Sequence, residues 1–138
     1  MADVSVIAAS VKKTATTVIE TGTAGEAVTA GQPVYLKSLD KKLWLADANG
    51  SDLTAEAVGI ALNGASADHP LDYAVDGDVT FNAGLTAGTV YVVSATAGAI
   101  APSADLDTNS TWHATVLGVA SSTTNLKLSI KASRTINA

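Results

Sequence analysis

The sequence predicts an all-β fold, a β-sandwich or barrel. Three observations predict it. The chain is punctuated by short runs rich in Val, Ile, Thr and Tyr, several of which alternate apolar with polar residues as half-buried strands do. Turn-forming dipeptides separate these runs at a spacing of about 8–12 residues, the rhythm of sandwiches and barrels. No long stretch carries the 3.6-residue apolar repeat of an amphipathic helix.

Taken in order, the candidate strands are DVSVIA, TTVIET, QPVYLKS, KLWLAD, AVGIAL, TVYVVSA, ATVLGVAS and NLKLSIKA. The last shows the alternation most clearly. Leu126, Leu128 and Ile130 point one way, and Lys127, Ser129 and Lys131 the other. Turn chemistry lies between the runs: Ala-Gly-Glu at 24–26, Asn-Gly at 49–50 and 63–64, Asp-Gly at 76–77 and Ala-Gly at 97–98. Gly, Asn and Asp reach positive φ or make local side-chain bonds at little cost, so each marks a turn. The stretch DLTAEAV at 52–58 is long enough for one helical turn, with Ser51 or Asp52 as its N-cap.

The chain also repeats itself. TAGQPVYLKSLDKKLWLADAN from Thr29 and TAGTVYVVSATAGAIAPSADL from Thr86 share a Thr-Ala-Gly opening, a Val-Tyr pair, an apolar run and a polar turn. AVGIALNGAS at 57–66 answers VLGVASSTTN at 116–125, with Gly59 and Gly118 in equivalent places. PLDYAVDGDVTFN at 70–82 then aligns with NLKLSIKASRTIN at 125–137, matching Leu71 to Leu126, Val75 to Ile130, Phe81 to Ile136 and Asn82 to Asn137. The expected organisation is an N-terminal arm and leading strand over 1–28, followed by one β domain over 29–138. That domain would comprise two pseudo-repeated units of about 55 residues, 29–82 and 86–137. One unit of three or four strands has an apolar face it cannot bury alone, and a second unit supplies the opposing face. Glycine inside a strand marks a bulge or close backbone contact, so Gly59 and Gly118 are expected where the units meet.

Composition excludes several functions. The 138 residues are enough for one buried core. Apolar residues make up 47% but aromatics only 4%, so that core is built from small aliphatic side chains. There is no cysteine, which excludes disulfides and thiolate metal sites. No apolar run approaches the ~20 residues of a membrane-spanning helix. In MADVSVIAASVKK the acid precedes the apolar stretch and the lysines follow it, the wrong order for a secretory signal, so the mature chain is expected to start near Met1. Net charge is -5, and its distribution is uneven. No Lys or Arg falls between Leu43 and Leu126, whereas Asp47, Asp52, Glu56, Asp68, Asp72, Asp76, Asp78, Asp105 and Asp107 do. A nucleic-acid binder needs a clustered basic face, and this middle repels phosphate. One expectation is that the acidic middle faces solvent while the basic ends face a partner.

Candidate chemistry is sparse. The histidines are His69, before Pro70 in a polar loop, and His113, beside Trp112 at a strand start. No hydroxyl stands in a nucleophile elbow, so both histidines read as surface or structural and no catalytic site is assigned. Asp72, Asp76 and Asp78 in DYAVDGDVT are hard oxygen ligands, but the spacing of a calcium loop is missing and the Asp-Gly reads as a hairpin turn. No metal or cofactor is expected. Trp44 alternates with Leu43 and Leu45 in KLWLAD, so it is either core beneath a second covered face or an interface residue. Tyr35 and Tyr91 hold equivalent places in the repeat and are expected to pack in the core or at its rim.

GEAVTAGQPVYLKS, followed by KLWLADAN, AVGIAL, a Gly-Asp turn, AGTVYVVS and VLGVASS, resembles the small cement, or head-decoration, proteins of tailed bacteriophages. Head-fibre proteins of phages share a similar G-x-x-x-x-x-G-x-x-V-Y opening, here Gly25 to Tyr35. The resemblance covers roughly 22–130. It implies a non-enzymatic virion protein, made in the host cytoplasm, that binds the outer surface of the expanded capsid and bridges capsomers as a trimer or dimer. The partner would be the major capsid protein, with no direct contact to nucleic acid or membrane. On that resemblance the apolar arm residues Val4, Val6 and Ile7, the basic residues Lys12, Lys13, Lys127, Lys131 and Arg134, and Trp44 are the candidate contact set. The alternative is an adhesive or head-fibre β-module that binds host-surface carbohydrate, with Trp44 and Trp112 as stacking platforms.

Overall fold

The computed structural model describes residues 6, 10–37, 40–48, 57–81, 84–94, 97–103 and 113–136, with backbone alone at 113–114 and 131–136. Across these the protein is all-β, and no described residue is in an α-helix. The strands are β1 (Lys12–Lys13), β2 (Val18–Thr23), β3 (Pro33–Lys37), β4 (Lys42–Leu45), β5 (Gly59–Ala61), β6 (Pro70–Thr80), β7 (Val90–Val93), β8 (Ile100–Pro102), β9 (His113–Ala120) and β10 (Asn125–Ile136). They form one curled antiparallel sheet in the order β4-β3-β5-β6-β10-β9-β7-β8, with β1 and β2 attached to β6.

β6 organises the fold. Along one edge it carries the N-terminal segment: Lys12 and Lys13 pair with Thr80 and Val79, and β2 pairs from Val18↔Asp76 to Thr23↔Pro70. Along the other edge β5 takes Tyr73 and Ala74, while β10 takes the stretch from Gly77 to Thr80. Asp76-Gly77 is therefore not a hairpin turn, as the dipeptide suggests. It sits inside an 11-residue strand, where the register against β2 slips by one residue and Gly77 adopts φ +81°. That bulge lets the strand leave one set of neighbours and join another. The Thr14–Thr17 turn fills the gap opposite it. Thr14 Oγ1 donates to the Asp78 carbonyl at 3.1 Å, Thr17 Oγ1 donates to the same oxygen, and Asp78 N–H donates to Thr16 Oγ1 at 3.2 Å. The Thr16 carbonyl lies where a Cβ on Gly77 would go, so this position requires glycine twice over.

The ends of the strand path are tied off. Ala24 bridges to Leu43, and Gly25 N–H donates to the Leu43 carbonyl at 2.7 Å, so the chain leaving β2 closes onto β4. Beyond β4, Ala48 N–H donates to Ser94 O and Gly98 N–H to Ala46 O, each at 2.9 Å. The β4 end thus touches the β7–β8 hairpin. Two apolar clusters fill the curl. The smaller holds Ala24, Val28, Val34, Leu43, Ala61 and Leu71. The larger includes Ile60, Ala74, Val79, Phe81, Tyr91, Val92, Ile100, Leu117, Leu126 and Leu128. β5 is buried on both faces because Ile60 serves the larger cluster and Ala61 the smaller.

Gly59 and Gly118 do make close backbone contacts, but not across a seam between units. A Cβ on Gly59 would meet Ala74 O at 2.5 Å on β6, and one on Gly118 would meet the Lys127 carbonyl on β10. Each presses on the strand that follows it, whereas the two halves of the sheet are joined by the β6–β10 ladder. The helical turn expected over 52–58 falls mostly outside the described residues, and Ala57 and Val58 are not helical.

Candidate functional site

Of the predicted contact residues, Lys12, Lys13, Lys127 and Trp44 fall on three regions of the surface. The first is the outer face where β1, β6, β10 and β9 lie side by side. Cross-strand partners share a face, so Lys12, Thr80 and Asn125 form one row, and Asp78, Lys127 and Val119 the next. Thr80 Oγ1 donates to Asn125 Oδ1 at 3.1 Å, which fixes the first row. Val79, Leu126 and Leu128 point the opposite way into the core. The sheet thus brings Lys12 and Lys127 onto one solvent-facing surface from opposite ends of the chain. Lys131 and Arg134 continue along the β10 backbone.

The second region is an open cleft of about 450 Å³ lined by Lys12, Lys13, Ile19, Leu62 and Asp72. Asp72 is held from both sides. Its Oδ1 accepts from Thr21 Oγ1 at 2.7 Å, its N–H donates to Asn63 Oδ1 at 2.7 Å, and its carbonyl accepts from Leu62 N–H at 2.8 Å.

The third is the rim around Trp44 on β4. Trp44 is neither core nor an open platform. It is half-buried, Gly25 packs against its ring where a Cβ would collide, and Lys37 Nζ sits 4.6 Å from the ring centroid as a cation–π partner. Its Nε1–H donates to Asp40 Oδ2 at 3.2 Å. Tyr35 is its cross-strand neighbour and packs partly on the larger core. Burial, with Glu26 and Asp40 adding negative charge, holds the Tyr35 phenol above its ordinary pKa. Tyr91, its counterpart in the sequence repeat, is fully buried, and its hydroxyl accepts from Thr86 N–H at 2.8 Å. Nearby, Lys42 and Asp68 form an exposed ion pair that lowers the carboxyl pKa and raises that of the ammonium.

The charge separation read along the chain does not survive folding. Asp78 is the direct cross-strand partner of Lys127, Asp72 shares the cleft with Lys12 and Lys13, and Asp68 pairs with Lys42. For the first two the cause is topological: β6 carries Asp72, Asp76 and Asp78 and is flanked by the lysine-bearing β1 and β10, so acids and bases interleave there. Val6 is half-buried on the larger core, lying where a Cβ on Gly31 would be, at 2.5 Å, and so is engaged by its own chain. Val4, Ile7 and Trp112 lie outside the described residues, as does the side chain of His113. His69 is exposed, and its carbonyl accepts from Ala24 N–H at 2.9 Å. Among the described residues no cluster of His, Asp and Glu could hold a metal ion, and no helix is long and apolar enough to cross a membrane.

The Thr14–Thr17 clasp and the bulge at Gly77 escaped sequence reasoning. The signal was the run of threonines in TATT, whose partner 61 to 64 residues away no local pattern reveals. Comparison with known proteins finds no family model that matches the chain and no curated protein that matches it.

Proposed function

We propose that the protein is a structural virion component, a cement or decoration protein that binds the outer surface of an expanded tailed-phage capsid and bridges capsomers. The observation that carries this reading is the set of residues from Gly25 to Ser122 that resembles such proteins, several of whose motifs fall on successive strands of the curled sheet. The strand order supports two pseudo-repeated units. Each would pair its first strand with its second and third, and its third with its fourth: β3 with β4 and β5, then β5 with β6, and β7 with β8 and β9, then β9 with β10. The order therefore runs β4-β3-β5-β6 to the middle and returns as β10-β9-β7-β8. The outer face bearing Lys12 and Lys127, with Lys131 and Arg134 farther along β10, is the capsid-facing surface. The role is non-enzymatic and works by mass action: a ligand that binds only the expanded lattice stabilises it by its binding free energy, and repetition over the shell adds avidity. The test mixes purified protein with expanded, undecorated capsids and counts bound copies by electron microscopy. Saturable decoration that raises the capsid's melting temperature is expected, and Lys127→Glu should lower occupancy. Capsids that stay bare at saturating protein overturn the reading.

A further inference from the structure

The cleft lined by Lys12, Lys13, Ile19, Leu62 and Asp72 joins apolar surface to charges of both signs, and its volume of about 450 Å³ suits a small molecule. Most of its lining lies on the core side of β6. Lys13 pairs with Val79 and Ile19 with Ala74, and cross-strand partners share a face. Val79 and Ala74 both serve the larger apolar cluster, and Leu62 packs against that cluster. Asp72 alternates with Ala74 along β6 and so shares its face. Ile19 and Leu62 thus extend the apolar core outward to a charged margin.

The charges there are set for a partner. Asp72 is fixed in place. Its Oδ1 accepts from Thr21 Oγ1 at 2.7 Å, and its N–H donates to Asn63 Oδ1 at 2.7 Å. Among the described residues nothing bonds to its Oδ2, so a held carboxylate keeps one oxygen for a ligand. Lys12 and Lys13 line the same cleft, yet among the described residues neither forms an ion pair with Asp72 or with any other acid. Opposite charges therefore face one space without closing it.

We propose that this cleft binds a small zwitterion with an apolar body, the chemistry of an aliphatic α-amino acid. The ligand carboxylate takes the ammonium groups of Lys12 and Lys13. Its own ammonium donates to Asp72 Oδ2, and its side chain lies on Ile19 and Leu62. A simple anion would meet Asp72 as a like charge, and a simple cation would meet two lysines. A zwitterion makes charge-assisted hydrogen bonds at both ends. The site goes beyond the proposed function, because binding in solution needs no capsid.

The test is an NMR titration of the isotope-labelled full chain with L-leucine. Saturable shifts are expected at the backbone amides of Lys13, Ile19, Leu62 and Asp72. Isocaproate lacks the amine of leucine, and isoamylamine lacks its carboxylate. Each should bind at least about tenfold more weakly than leucine, the loss that follows from one missing hydrogen bond between charged groups. Asp72→Asn should weaken leucine to the level of isocaproate while isocaproate itself binds no more weakly, a pattern that collapse of the cleft would not give. Lys12→Gln combined with Lys13→Gln should weaken leucine and isocaproate together and spare isoamylamine. The comparison of the three ligands on wild type decides the matter even if a variant misfolds. No saturable shift, shifts confined to another part of the sheet, or equal binding of leucine and isocaproate overturns the proposal. Any of these leaves the capsid reading intact, and capsids that stay bare leave this site intact.

Discussion

Gly59→Ala measures how tightly β5 is pressed onto β6. The added methyl would lie 2.5 Å from Ala74 O, 2.6 Å from Tyr73 Cδ2 and 3.2 Å from the Ala74 carbonyl carbon. A carbon–oxygen contact relaxes at about 3.3 Å, so the strands must separate locally by most of an ångström. The Tyr73 ring can swing, but the Ala74 carbonyl cannot move without disturbing pairing on both edges of β6, since Ala74 opposes Ile60 on one side and Ile19 on the other. Overpacking of this kind costs about 1–3 kcal/mol, and one weakened ladder bond adds about 1 kcal/mol. Loss of unfolded-chain freedom returns about 0.4–1 kcal/mol. The expected net destabilisation is about 1–3.5 kcal/mol, or a fall of about 3–12 °C in Tm for a chain of this size. Thermal and urea unfolding followed by circular dichroism read it, with Gly64→Ala as control, because only Val28 O at 3.8 Å stands near a Cβ there. If Gly59→Ala melts within about 2 °C of Gly64→Ala, β5 and β6 do not pack in the register described.

Glu26→Ala removes the acceptor for Leu45 N–H and should cost about 1–2 kcal/mol in urea unfolding, whereas Glu26→Gln, which keeps a carbonyl acceptor, recovers part of it. Tyr35 and Tyr73 should ionise above the ordinary tyrosine value in a spectrophotometric titration, both chiefly through burial, Tyr73 also through Glu20. Since their folded pKa values are raised, the stability they contribute is complete below about pH 10 and is lost as pH rises through the folded values. The Lys42–Asp68 pair behaves oppositely at its acidic end. Its carboxyl pKa is depressed, so any contribution is present above the usual carboxylate range and disappears as pH falls through the lowered value, while the raised Lys42 pKa extends it upward. Both groups lie in solvent, so Asp68→Asn should leave Tm unchanged at neutral pH and at high salt.

Period-two patterning located most strands because it reports burial on one face, a local property. TTVIET, QPVYLKS, KLWLAD, AVGIAL, TVYVVSA, ATVLGVAS and NLKLSIKA each contain a strand core. β1 was missed because Lys12 and Lys13 have no apolar alternation; their pairing is set by Val79 and Thr80. β8 was missed because three residues ending in Pro102 look like loop. Asp-Gly at 76–77 was misread for a physical reason. Positive φ is required both by a hairpin turn and by a bulge, and only the distant Thr14–Thr17 clasp distinguishes them. Of the candidate surface, the alternation of Lys127 with Leu126 and Leu128 was legible, but its proximity to Lys12 was not, because that depends on both flanking β6.

The arrangement of charge follows from the same strand and constrains how any partner is held. A surface in which Lys127 faces Asp78, and Lys12 and Lys13 share a cleft with Asp72, offers alternating signs over a few ångströms rather than a broad positive field. Such a pattern contributes little long-range steering, because opposite charges that close cancel beyond a Debye length of about 8 Å. It specifies register instead, since a docked surface shifted by one residue meets like charges. On the proposed reading, capsid binding should therefore depend only weakly on salt in its association rate. Reversing one charge, as in Lys127→Glu, should act mainly by speeding dissociation, because it sets Asp78 beside a like charge and removes the counter-charge from the row. A binding rate that instead collapses between low and physiological salt would mean that a broad positive field, rather than this alternating pattern, dominates the encounter.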